Sequence, residues 1–391
     1  MLELASLTRR FNQPTNRLYR LRQTLLARRT KIVDLVSGNM GGQGTQFPPR
    51  ILERAFAQAL RKTKVYRPDP LGRLEARQSI SDYYRREGLK ISADHIVLTP
   101  GTSVSYWYAF KILADPGDEI LVPTPTYPLF ESIARLAGVK LVPYRLLENS
   151  RWKIDFEGMQ SALTGRTRAA ILVSPHNPTG AVATEDEVRK LAEIAARRNL
   201  AIISDEVFRP FLFTQTRLPS PAEHNAPLVL TLNGFSKMLA LPGLKIGWMA
   251  VTGEPGLVNK TIKALDMVSD TFLPVAEAAQ AATPALLRQR HDFQSAYADD
   301  VRRRLKLAER ILSTGSSFSY VMPEGGIYLT LALKKPGVNE EEIACRLLEK
   351  HRILVHPGYF YDMEGDHLIL SFVNQPAVLR KALERIIGEI R

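Results

Sequence analysis

The sequence predicts an α/β protein: a mostly parallel sheet flanked by helices, joined to a smaller α+β module. Three observations carry this. Between residues 96 and 251, seven strand-sized apolar runs alternate with segments of helical periodicity, the pattern of βα units. A long helical tract over 275–313 ends that alternation. Beyond it, short strands dominate, with two helices among them. The 391 residues suffice for two domains. The expected division is an N-terminal segment, 1–45, that joins the small domain, a large domain over 46–290, and a small domain over 291–391.

Taken in order, residues 1–15 read as an irregular lead-in. A helix follows over 16–29, capped by Thr15 or Asn16, with Leu18, Leu21, Leu25 and Leu26 at helical spacing. A short strand over 31–36 leads to the glycine-rich loop 37–44. That loop fits no nucleotide fingerprint. Its glycines, Gly38 among them, let backbone approach a ligand closely, or serve only as a connector. Helices are predicted over 50–60 and 73–87. The seven sheet strands are 96–99, 119–122, 140–143, 169–174, 201–204, 228–232 and 246–251, with helices over 103–114, 128–137, 184–198 and 256–269. The tail predicts strands 318–321, 327–333, 353–356 and 368–372, and helices 340–350 and 376–390.

Composition narrows the function classes. Hydrophobic residues make up 45% of the chain, ordinary for a globular core, and no apolar run reaches membrane-span length. Arg9 and Arg10 follow a short mixed stretch, which is not a signal-peptide layout. The single cysteine, Cys345, has no partner for an internal disulfide or a metal site, so a reducing cytoplasm is expected. The net charge is +13, and residues 1–31 supply +7 of it from eight basic residues and Glu3. No nucleic-acid motif accompanies that basic end, so it reads as a packed helix with a basic outer face.

Ligands of open parallel sheets bind outside the carboxyl ends of the strands. The informative residues fall there. Pro100-Gly101-Thr102-Ser103 opens a helix whose free N–H groups suit a phosphate. Tyr127 follows the second strand and can plate an aromatic ring. Asn177, between Pro175 and Pro178, can donate to a ligand oxygen. Asp205 ends a buried strand and needs a cationic or hydrogen-bonding partner. Lys237 follows the next strand, in Asn233-Gly234-Phe235-Ser236-Lys237, where Pro242 and Gly243 prevent a long helix. A desolvated lysine loses proton affinity and becomes nucleophilic. Each residue alone has a structural reading: helix start, packing aromatic, turn asparagine, snorkelling lysine. Together they meet the needs of pyridoxal 5′-phosphate (PLP), whose aldehyde needs an amine and whose ring nitrogen needs a carboxylate.

With those residues in place, the chain resembles the fold-type I, class I/II aminotransferases of the aspartate aminotransferase superfamily. The matching segments are Tyr66…Pro70-Leu71-Gly72, Pro100-Gly101-Thr102, Tyr127, Asn177-Pro178-Thr179-Gly180, Asp205-Glu206-Val207-Phe208, Ser236-Lys237 and Pro323-Glu324-Gly325-Gly326, in order from about Asp34 to the C-terminus. The resemblance implies the PLP-dependent transferase fold with a seven-stranded large-domain sheet, and a small domain built from both chain ends. It makes Lys237 the Schiff-base lysine and proton carrier, and Asp205 the partner of the ring nitrogen. It gives Asn177 the ring hydroxyl oxygen and Tyr127 the ring face. Gly101, Thr102, Ser236 and Lys245 would hold the phosphate. Tyr66 would reach the neighbouring subunit's site, which implies a homodimer.

Three departures stand out against that pattern. Phe208 replaces a tyrosine that donates to the ring oxygen, so the Schiff-base proton should be held more tightly. Lys245 replaces an arginine, keeping the charge but losing the fork, and Gly234 lacks a hydroxyl common there. Ile369 stands where an arginine clamps the substrate carboxylate. Arg209 is one candidate substitute, and Tyr361 a candidate pocket residue. Transamination of an amino acid or amine with a 2-oxo acid is the expected chemistry. Elimination or decarboxylation on the same scaffold stays open, and a non-catalytic PLP-binding protein is the remaining reading.

Overall fold

The computed structural model describes residues 15–334 and 339–391. All of the expected lead-in except Thr15, with Arg9 and Arg10, lies outside the described residues. The first helix is Arg17–Ala27, and it starts where the Asn16 side chain accepts the Tyr19 N–H at 2.8 Å. It buries Leu18 and Leu25 and packs on the helix Glu340–His351. Val33–Asp34 then pairs in parallel with Ile353–Leu354, tying the start of the chain to its end.

The large sheet has eight strands. Across it run Ile96–Thr99, Gly247–Gly253, Leu228–Gly234, Ala201–Asp205, Thr167–Val173, Glu119–Thr124, Lys140–Leu147 and Lys153–Ile154. The seven expected strands are present. The eighth, Lys153–Ile154, pairs antiparallel with Lys140–Leu147, and two residues are too few to show a period. The helical tract expected over 275–313 is two helices, Glu277–Arg288 and Arg290–Leu312, broken at Gln289.

The central strands read as continuous apolar runs because both faces are covered. Ile171, Ile203 and Leu230 face one helical layer, while Leu172, Ile202 and Val229 face the other. Leaving any of these in water would forgo about 1.5–3 kcal/mol, so register is strongly specified. That register aligns the strand ends. Val173 pairs with Asp205, and Asp205 with Leu232. The antiparallel strand Gly247–Gly253 lies between Ile96–Thr99 and Leu228–Gly234, with Gly247 opposite both Thr99 and Gly234. A Cβ on Gly247 would lie 2.9 Å from the Gly101 Cα, so glycine there lets the two strand ends meet.

The small sheet runs Phe318–Ser319, Tyr328–Leu333, His367–Ser371, His356–Pro357, all antiparallel. It shares one apolar core with residues from the chain start and from the large sheet's loops, including Leu35, Phe208, Ile369 and Leu383. The Pro323–Gly326 segment binds it to the large sheet: the Glu324 and Gly325 N–H groups both donate to the Gly180 carbonyl at 2.9 Å. A side chain at Gly325 would meet the Phe211 carbonyl oxygen at 2.6 Å, which explains the glycine.

Candidate active site

The aligned strand ends gather one cavity. It is lined by Thr102, Ser103, Tyr106, Tyr127, Asn177, Asp205, Phe208, Ser236, Lys237 and Tyr328, with apolar neighbours. Six of the residues singled out from sequence are therefore together: Thr102, Tyr127, Asn177, Asp205, Ser236 and Lys237.

Asp205 is buried, and its carboxylate is held at both oxygens. The Tyr106 hydroxyl donates to Oδ2 at 2.8 Å and the Val207 N–H to Oδ1 at 3.1 Å. Burial still raises its pKa to about 6, more than these bonds and the Lys237 charge lower it. Lys237 sits in the short helix Phe235–Met238 and donates from Nζ to the Gly38 carbonyl at 2.9 Å. Burial lowers its pKa to about 8, against the pull of Asp205. The Phe208 ring centroid lies 5.7 Å from Nζ. A Cβ on Gly38 would collide with Lys237 Nζ and approach the Tyr328 hydroxyl at 2.9 Å, so a side chain there would displace the lysine tip.

Gly101 precedes the helix Thr102–Leu113 with φ +112°. The Thr102 and Ser103 N–H groups belong to that helix's first turn, where no intrahelical acceptor exists. Asn177 is held by the tight turn in which the Gly180 N–H donates to the His176 carbonyl at 2.8 Å. Its Oδ1 is buried without a partner among the described residues. Tyr127 stands edge-on to Phe130, and burial raises its pKa to about 12.

Four residues do not join the cavity. Arg209 is 4% exposed and ion-paired with Glu206 at 2.9 Å and Glu87 at 3.6 Å. A charge this buried needs its carboxylates, which removes it as a substrate clamp. Lys245 is exposed at the end of the Pro242–Leu244 turn, in the left-handed region at φ 53°, and does not line the cavity. Tyr66 is 65% exposed. Tyr361 lies beyond the lining, bonded to His356 Nδ1 at 3.1 Å, and its carbonyl accepts the Thr126 N–H. The missing hydroxyl at Gly234 has a steric reason: a Cβ there would lie 2.7 Å from the Ile246 carbonyl oxygen.

Sequence reasoning missed Tyr106 and Tyr328. Tyr106 lies four residues after Thr102, one turn along the same helix face, and that spacing was the available signal. Tyr328 sits on a predicted strand, but nothing in the sequence says which face of that strand meets the cavity.

A buried carboxylate of raised pKa, a lysine of lowered pKa, a helix start and an unpartnered amide fit a phosphorylated, cationic-ring aldehyde. The model of the family described as aminotransferase class I and II matches residues 30–386.

The chain belongs to this family.

Its members use PLP and transfer amino groups, so the chain is a PLP-dependent transaminase, a transferase of nitrogenous groups. It is 33% identical to an aspartate/prephenate aminotransferase of Thermus thermophilus, covering 90% of both chains. It is 29% identical to an arginine–pyruvate transaminase of Pseudomonas aeruginosa, covering 92% of this chain and 91% of the relative. Among solved structures, it resembles a Thermus thermophilus aspartate aminotransferase mutant at TM-score 0.89, 28% identity and full coverage of both chains. An alanine aminotransferase from Pyrococcus furiosus matches in fold at TM-score 0.92, 24% identity and 99% coverage of each.

The Asp205 carboxyl makes a stability prediction for the cofactor-free protein. Its folded pKa of about 6 lies above the ordinary 3.8, so its stabilising contribution is full below pH 3.8 and lost as pH rises through about 6. Two units correspond to about 3 kcal/mol. Asp205→Asn should therefore remove this slope and raise neutral-pH stability by up to about 3 kcal/mol in urea unfolding. Equal slopes in both proteins would refute the assignment.

Proposed function

We propose that the chain moves an amino group from an amino acid or amine to a 2-oxo acid, with Lys237 as the Schiff-base residue. The opposed pKa shifts of Asp205 and Lys237 in one cavity carry this reading. At pH 7, a lysine of pKa about 8 is roughly one-tenth neutral, against about three in ten thousand for an ordinary one. Bound PLP supplies an electron-withdrawing protonated ring that eases proton loss from the carbon bearing the amino group. The chain's residues do the rest. Asp205, kept anionic by Tyr106 and Val207, holds the ring proton in place. The first-turn N–H groups of Thr102 and Ser103, with the Ser236 hydroxyl, hold the phosphate. Gly101 leaves that approach open. Asn177 would donate to the ring oxygen, and Tyr127 would pack on the ring. Lys237 Nζ takes the substrate proton and returns it. Lys245, exposed outside the lining, would add only long-range attraction for phosphate, without a fork.

A homodimer suits the surface. Tyr66, Val65 and Leu60 are exposed, as are Met267, Phe272 and Leu273, and apolar patches of this kind suit an interface. We place the protein in the cytoplasm because its single cysteine, Cys345, is buried and unpaired. Among the described residues, no helix is long and apolar enough to cross a membrane. The names of the relatives, arginine–pyruvate and aspartate/prephenate, support amino-acid and oxo-acid substrates.

Mixing the PLP-loaded enzyme with an amino donor and no acceptor tests the chemistry. Transamination stops after one carbonyl product per site, leaves pyridoxamine phosphate, and resumes when a 2-oxo acid is added. Continuous ammonia release without an acceptor would establish elimination instead.

Phe208→Tyr adds one hydrogen bond to the cofactor's ring oxygen. Such a bond to a charged oxygen is worth about 1.5–3 kcal/mol, so the midpoint of the cofactor's visible pH titration should fall by about one unit or more. An unchanged midpoint would show that Phe208 does not govern that proton.

A further inference from the structure

One face of the small sheet reaches the cavity through Tyr328. Tyr328, which lines it, pairs with Ser371, and Thr330 pairs with Ile369. Ile369 pairs on its other side with His356. Directly opposed residues of neighbouring strands share a face, as do alternate residues of one strand. Tyr328, Thr330, Ser371, Ile369 and His356 therefore lie on one side.

None of these five side chains is a fixed cation, and four of them carry a polar group. Ile369, Thr330 and Ser371 are fully buried, and the hydroxyls of Thr330 and Ser371 have no partner among the described residues. His356 bridges two hydroxyls, with Nε2 2.9 Å from Tyr19 and Nδ1 3.1 Å from Tyr361. Burial lowers its pKa to about 4, so it is neutral at pH 7. Fixed charge of both signs lies nearby: the Arg22 guanidinium, over the Tyr19 ring, and the Asp34 carboxylate. Asp34 accepts the Val36 and Ser37 N–H groups at 2.8 Å each, and its field acts on Tyr19, Tyr328 and His356. Other arginines on the surrounding elements are engaged: Arg209 holds Glu206, Arg145 holds Glu364 and Arg135 holds Glu131.

We propose that the amino donor is a primary amine whose nitrogen-bearing carbon carries an uncharged, hydrogen-bonding substituent, such as a carbinol, in place of a carboxylate. This rests on the transaminase reading and narrows its substrate class. A carboxylate on the Ile369 side would lose its water without gaining an ion-pair partner. A hydroxyl would lose less and find neutral partners. The transfer balances as any transamination does. The donor's C–N bond breaks and its nitrogen passes to the cofactor's aldehyde carbon. Lys237 carries the donor carbon's proton to that carbon. The donor carbon is oxidised by two electrons to a carbonyl and the aldehyde carbon is reduced by two. The Lys237 amine is the group displaced from the cofactor carbon, one water is consumed in freeing the carbonyl product, and the acceptor half-reaction releases one water. A 2-oxo acid acceptor meets the same face, so its KM should be high.

Stopped-flow single turnovers of the PLP-loaded enzyme with matched pairs test this: L-alanine against alaninol, and L-phenylalanine against phenylalaninol. The amino alcohol of each pair should form pyridoxamine phosphate with a second-order rate constant at least about tenfold higher, and Ile369→Arg should reverse the order. Calorimetry with propionate on the wild-type holoenzyme gives a readout independent of that variant's folding. No saturable binding is expected. A faster amino acid in each pair, or saturable propionate binding, overturns the inference and leaves transamination standing. Failure of every amine and amino acid to convert the cofactor would defeat the transaminase reading and this inference with it.

Discussion

Two ionisable groups buried in one cavity constrain the rest of this molecule. Asp205 ends a strand covered on both faces, and Lys237 follows the next strand in the same sheet. Each loses hydration, and each is pushed toward its neutral form. The protein tolerates this because the sheet's register is fixed by apolar residues far from the site, where burial gains outweigh the local cost. Tyr106 and the Val207 N–H offset part of that cost at the carboxylate. A cofactor with a cationic ring offsets more, which makes loading a stabilising event as well as a catalytic one. Stability given up at such a site is common where chemistry needs a perturbed group.

The antiparallel strand Gly247–Gly253 is the less obvious half of that constraint. By standing between Ile96–Thr99 and Leu228–Gly234, it brings the helix start at Thr102 beside Ser236 and Lys237. The contact is backbone on backbone, which is why Gly247 and Gly234 are glycines, while Gly101 takes φ +112°. Gly234 reads from sequence as a missing hydroxyl. In the fold it is a position closed to any side chain.

Much of this was legible in the sequence because strand ends are. Apolar runs mark the strands, and the residues that break them fall at the carboxyl edge, where ligands bind. Asp205, Asn177, Tyr127 and Thr102 were found that way. What was not legible depends on facing or on distance. Tyr106 was hidden inside an apolar helix, and only the three-dimensional pairing shows its hydroxyl on Asp205. Arg209 adjoins the site in sequence but turns away from it to Glu206 and Glu87. The strand Lys153–Ile154 was too short for any period to reveal. Lys245, Phe208, Gly234 and Ile369 depart from the family pattern, while Thr102, Tyr127, Asn177, Asp205, Ser236 and Lys237 line one cavity.

The central claim is that Lys237, and no other lysine, holds the cofactor. Borohydride reduction of the PLP-loaded enzyme, followed by proteolysis and peptide mass spectrometry, tests it directly. The reduction fixes the carbon–nitrogen link as a stable secondary amine. The pyridoxyl adduct is expected on the peptide containing Lys237, with fragment ions placing it on that residue. An adduct on Lys245, or on any lysine other than Lys237, would contradict it.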